Sequence, residues 1–236
     1  MKLTEYPREE RVFKDMGFIE VYLSFNPYFH QAKRHNFGIL YNLDEAYMPS
    51  SSKGFGMHPH RDMEVVSLIL EGMVHHRDNG GNAGVMHAKS VQLISAGTGI
   101  LHEEYNFSKE LPFRGLQLFL RPKEKGIQPN YQKRELSPGD YEGKLCELLS
   151  PDGRNKSLKI ANDSFLSYGI LNKESETTYS VNLSLNGVFI KVINGEIEVE
   201  GIHLREKDEI GIEDVEILTI KFIQKSEIMV FEVPMK

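Results

Sequence analysis

At 236 residues, with 40% hydrophobic and 26% charged side chains, the chain has the makeup of an ordinary globular protein with room for one large or two medium domains. Its one cysteine, Cys146, excludes an intrachain disulfide and any cysteine-rich metal site, so a metal would need histidine and carboxylate ligands, and a reducing compartment is expected. A net charge of −6, with the acidic excess in the second half, is no footprint for direct nucleic-acid binding.

The N-terminal MKLTEYPREERVF carries charges where a secretory signal needs an apolar core, and no apolar run reaches membrane-spanning length. The expected location is the cytoplasm, with no membrane partner. One or two helical turns are expected over residues 7–14. After them the periodicity reads as strand nearly throughout: 18–25, 37–42, 65–70, 73–76, 91–94 and 116–120 in the first half. Residues 144–149, 165–170, 178–183, 188–193, 196–200, 216–222 and 227–233 follow in the second. Many short strands separated by Gly, Pro and Asn turns predict an all-β sandwich or barrel. Asn194-Gly195 between two apolar runs predicts a type I′ hairpin, and Asp78–Asn82 a longer turn. Their similar placement within each half hints at two related β units. Residues 121–140 are polar and rich in Pro, Gly and Lys, which predicts a connector between a domain over 1–135 and a second over 136–236.

Eight of the nine histidines lie between His30 and His102, so the chemistry is expected in the first half. GFGMHPHRDME places His58 and His60 two residues apart, and GTGILHEEYN does the same for His102 and Glu104. Residues i and i+2 of a strand leave one face. Two such strands side by side would aim three imidazoles and a carboxylate at one point, a donor set suited to Fe, Mn, Ni, Cu, Co or Zn. Each pair alone also fits a surface or structural feature, and it is their combination that points to metal. Four ligands leave a position open for substrate if coordination is five or six, whereas a closed tetrahedral site would be structural. Glu64 competes with Glu104 for the fourth place. Strict alternation puts it and Asp62 on the histidine face, and the preferred reading has Glu64 orienting a ligand imidazole. Glu103 should point away from Glu104. His75 and His76 face opposite ways and read best as a polar strand end, while His30, His35, His87 and His203 lack partner spacing. Phe18, Tyr22, Phe25, Tyr28, Phe29, Phe37, Tyr41, Tyr47 and Phe55 are expected mostly in the core, and any of them lining a cavity would suit a flat aromatic ligand.

GFGMHPHRDMEVVSLILEG followed by GTGILHEEYN resembles the signature pair of the pirin family within the cupin superfamily, most of all its bacterial quercetinase-type members. LSFNPYF and FGILYNLDE resemble the family's N-terminal strands. The resemblance implies a bicupin of two β-sandwich barrels, with one metal, commonly iron as Fe(II), in the N-terminal barrel. By position its ligands are His58, His60, His102 and Glu104. It also implies a dioxygenase acting with dioxygen on a flavonol or similar enol-bearing aromatic, with Glu104 taking the enolic proton. The alternative is a non-enzymatic, metal-responsive regulatory module that binds a protein partner. Asp62, Met63 and Glu103 depart from the family's common pattern.

Overall fold

The structure is a computed structural model describing residues 1–25 and 34–236; Tyr28, Phe29 and His30 lie outside the described residues. The chain is all-β and forms two compact units: one from Arg11–Asn36 and Leu40–Leu136, the other from Met1–Glu10, Phe37–Ile39 and Ser137–Lys236. Twelve strands reach the end of the first half. They are β1 (Lys2–Tyr6), β2 (Val12–Asp15), β3 (Glu20–Phe25), β4 (Leu40–Met48), β5 (Ser52–His60), β6 (Glu64–Glu71), β7 (Met73–Asp78), β8 (Ala83–His87), β9 (Ser90–Ser95), β10 (Ile100–Asn106), β11 (Phe113–Leu120) and β12 (Asn130–Glu135).

In the first unit a seven-stranded sheet, β12-β9-β6-β11-β4-β3-β2, accompanies a four-stranded sheet, β5-β10-β7-β8. The central strands of the large sheet read as apolar runs because little of them reaches water: seven of the eight residues of β6 are buried, all but Glu71. Between the sheets, Ile19, Val21, Leu23, Met48, Ile69, Val74, Met86 and Phe113 form one apolar cluster.

The second unit repeats the seven-plus-four arrangement. Its core gathers Val188, Ile190, Ile197, Val199, Ile210, Leu218, Ile220 and Val230. The linear division at residue 135 needs amending at the N-terminus. There β1 pairs antiparallel with Glu209–Glu213, Lys2 opposite Glu213 and Tyr6 opposite Glu209, and the Tyr6 ring meets Phe189 edge-on at 5.1 Å. A pairing across two hundred residues leaves no mark in local periodicity.

Near the start Arg8–Glu10 forms a single 3-10 turn, within the one or two helical turns expected over residues 7–14, before β2 begins. Two other expectations are corrected. The expected connector holds β12, which pairs with β9 from Asn130–Ser95 to Glu135–Ser90. As an edge strand it buries none of its side chains fully, so NYQKRE carries little apolar signal. Asn194-Gly195 is no hairpin: Asn186–Asn194 belongs to the seven-stranded sheet and Glu196–Val199 to the four-stranded one, so Gly195, at φ +91°, turns the chain between sheets. The Asp78–Asn82 turn does close a hairpin, β7 with β8.

Candidate metal centre

The four-stranded sheet carries the histidines. On β10, His102 lies opposite His58 of β5 and Ile100 opposite His60. A bulge follows on the β5 side, where Glu104 meets Phe55, so alternation on β10 survives. His102 and Glu104 are therefore both buried inward, and Glu103 points away to pair with Arg77 at 2.8 Å. Gly54 permits this close pairing: its φ is +53°, and a Cβ there would lie 2.0 Å from the Glu104 carbonyl oxygen.

His58, His60 and His102 form one cluster whose donor atoms all lie within 4.8 Å of one another, and His76, His102 and Glu104 form a second. His102 belongs to both. Its ring centroid is 4.3 Å from that of His58, 4.8 Å from His60 and 5.5 Å from His76. Sequence reasoning set His76 aside, yet it is 2% exposed and sits opposite Glu104, with Asp78 opposite His102. Its Nε2 is 3.2 Å from Asp78 Oδ2, and its ring stacks on Tyr131 at 4.6 Å. The i, i+2 spacing of His76 and Asp78 was the available signal.

These residues fit a divalent transition metal. The Nδ1–H of His58 donates to the Gly56 carbonyl at 2.8 Å, and Nδ1 of His60 contacts the Met63 sulfur at 3.1 Å. Those contacts leave each Nε2 with its lone pair, the form in which imidazole binds metal. His60 Nε2 and both ring nitrogens of His102 are buried without a hydrogen-bond partner, a costly arrangement for protein alone. Burial, then the neighbouring imidazoles, pushes the pKa of both His60 and His102 down to about 3, so both rings are neutral at pH 7.

The seven-stranded sheet supplies polar groups facing this cluster. Gln92 donates to Glu104 Oε1, and Gln117 donates to Oε2 at 3.2 Å, which fixes the carboxylate between two amides. A cavity of about 240 Å³ opens beside His58, His60, Glu104 and Gln117. Its other walls are mostly apolar, with Phe55, Phe113 and Phe119 among them. Of the seven aromatics considered from sequence that lie among the described residues, only Phe55 lines it.

Glu64 needs correcting. The turn at Asp62, with φ +50°, breaks the alternation and delivers Glu64 to β6 in the other sheet, where it accepts from Ser95 Oγ at 2.7 Å and belongs to neither cluster. Asp62 itself accepts from the Gly126 amide at 2.7 Å. His75 stacks on Tyr105 at 5.4 Å on the opposite face from His76. His35, His87 and His203 are exposed, His203 within 3.4 Å of Glu196.

A family model described as Pirin matches residues 19–120, and one described as Quercetinase C-terminal cupin domain matches residues 147–233. The crystal structure of the Escherichia coli bacterial pirin YhhW in complex with nickel(II) is 30% identical, covers 99% of each chain and superposes with a TM-score of 0.90. The chain belongs to the pirin family. Among curated relatives of this pirin-family chain, quercetin 2,3-dioxygenase of E. coli strain K12 is 35% identical over 78% of both chains. A pirin-like protein of Caulobacter vibrioides is 32% identical over 92% of this chain and 94% of the other. No helix among the described residues is long and apolar enough to cross a membrane.

Asp44 also lines the cavity, and burial pushes its pKa up to about 7, against the opposing effects of the Asn42 hydrogen bond and Arg11. An acid whose pKa is raised on folding contributes full stability below its unfolded value of 3.8 and loses it as pH rises toward 7. Asp44→Asn should match the parent near pH 4 and exceed it by about 2 kcal/mol at pH 8, roughly half the full linkage value because the carboxyl faces the cavity. Urea titrations at the two pH values check this; an advantage that shrinks with rising pH would refute it.

Proposed function

We propose that this chain is a metal-dependent dioxygenase of the quercetin 2,3-dioxygenase type, acting on a flavonol or a similar enol-bearing aromatic. The observation that carries the reading is the convergence of His58, His60 and His102 beside a mostly apolar cavity with Glu104 on its wall. The E. coli relative named quercetin 2,3-dioxygenase supports it.

His58, His60, His102 and Glu104 are the proposed metal ligands, with Fe(II) the favoured ion and Mn, Ni, Cu, Co or Zn the others suited to this donor set. Bound there, a divalent transition metal supplies Lewis-acid activation of the substrate's enol oxygen and redox chemistry toward dioxygen. The protein's own part is positioning and proton handling. Phe55, Phe113, Phe119, Ile69 and Val74 exclude water and present faces and edges to a flat ring. Glu104 accepts the enolic proton, and Gln92 and Gln117 hold its two oxygens so that the carboxylate does not swing away as the proton arrives. His76, with Asp78, backs Glu104 from the neighbouring strand.

Oxygen uptake with quercetin, measured on protein loaded in turn with Fe, Mn, Ni and Cu, tests the reading. Uptake above the metal-only control is expected with at least one ion; none with any of the four rejects the flavonol assignment.

A further inference from the structure

One carboxyl group on the cavity wall takes no part in the chemistry above. Asp44 on β4 lies opposite Gln117 on β11, Gln117 opposite Ser67 on β6, and Ser67 opposite Gln92 on β9. Directly opposite residues share a sheet face, with Cβ atoms about 4.5–5.5 Å apart. The four therefore form one polar row across a largely apolar inner surface, ended on β3 by Leu23 opposite Asp44.

Two members of the row, Gln92 and Gln117, are committed to Glu104. Asp44 is the member at the far end. Its Oδ1 accepts from Asn42 Nδ2 at 2.9 Å, and the side chain borders the cavity beside Val21, Leu23 and Ala46. A carboxyl placed in such a wall is expensive unless an occupant of the cavity hydrogen-bonds to it. Its pKa near 7 makes both the accepting carboxylate and the donating acid accessible at neutral pH.

We propose that Asp44 anchors the ligand by hydrogen-bonding a phenolic hydroxyl on a ring remote from the enol, and so selects polyhydroxylated aromatics over those bearing the enol alone. This rests on the flavonol reading of the cavity. Glu104 meets the enol, while Asp44, one strand beyond Gln117, meets the other end of the same flat ligand.

The test pairs two ligands with two variants, using metal-loaded protein under anaerobic calorimetry so that no turnover occurs. Quercetin and 3-hydroxyflavone share the enol and differ in phenolic hydroxyls. The parent should prefer quercetin by about tenfold or more, as expected when a charged group accepts a ligand hydroxyl. Asp44→Leu should erase the preference by weakening quercetin alone. Asp44→Asn, which keeps shape and one hydrogen bond, should retain only part of it. Metal content and circular dichroism confirm that each variant is folded, and the Asn variant decides the matter if the Leu variant is not. Equal weakening of both ligands would mark a purely structural role and overturn the proposal, as would an unchanged preference in the folded variants. Failure of the parent to bind either ligand would instead overturn the flavonol reading, and Asp44's role with it.

Discussion

Protein carrying His102→Ala is expected to purify with almost no divalent metal and to show no oxygen uptake with quercetin. His102 is the residue common to both donor clusters, and its ring sits within 5.5 Å of three other imidazoles, centroid to centroid. Both its nitrogens are buried and unpartnered, and as the donor shared by the two clusters its loss breaks the donor set of each. Replacing a group that merely orients a ligand costs 10–100-fold in metal affinity, and loss of a ligand itself should exceed about 100-fold. The fold without metal should tolerate the change, because the substitution deletes a buried polar group whose desolvation is uncompensated. The expected signature is therefore split. Metal-free parent and variant should melt within a few degrees of each other, while added metal raises only the parent's melting temperature, as binding to the native state requires. His60→Ala should behave likewise, and His87→Ala, on an exposed strand edge, should keep full metal content. A His102→Ala protein that still holds one metal per chain would remove this cluster from the proposed centre.

The reasons that the sequence revealed some of this site and hid the rest are physical. His58 with His60, and His102 with Glu104, were readable because alternation is a local property and each pair needs only its own strand to be regular. All-β architecture was readable on the same ground, from short apolar runs between turn residues. His76 was not, because its position opposite Glu104 depends on the register between β7 and β10, which no single segment encodes. Glu64 was misplaced because one residue, Asp62, takes a positive φ and resets the alternation between two strands. The polar row Gln92–Ser67–Gln117–Asp44 was out of reach for a related reason. Its members come from four strands, and in isolation each looks like a polar interruption of an apolar run. At Asn194-Gly195 a dipeptide suited to a tight hairpin serves instead as a passage between sheets, since the flanking strands find better partners elsewhere.

Glu45→Ala is expected to destabilise the protein by about 3–5 kcal/mol without touching the metal cluster. Glu45 occupies the face of β4 opposite Asp44 and is 1% exposed. Its Oε1 accepts from Arg114 Nε and Nη2 at 2.9 and 2.8 Å and from the Tyr47 hydroxyl at 2.7 Å, while Oε2 accepts from Arg11 Nη1 at 2.9 Å. Side-chain exposures of 4% for Arg11 and 11% for Arg114 leave neither guanidinium able to turn to water. Removing the carboxylate strands two buried cations, and that cost exceeds what the triad contributes when intact. Arg114 also pairs with Glu71, but that side chain is 63% exposed and so compensates weakly for the lost carboxylate. Glu45→Gln, which preserves shape and some acceptor capacity, should lose less than the alanine variant, because it removes the charge but keeps part of the hydrogen-bonding geometry. Replacing Glu45, Arg11 and Arg114 together with apolar residues of similar volume should recover much of the loss, since no unpaired charge then remains. Urea unfolding of metal-free protein measures the series, and metal binding by the folded fraction of Glu45→Ala should match the parent. Because β4 carries Asp44 on one face and Glu45 on the other, this comparison separates what holds the strand in place from what the strand presents to the cavity.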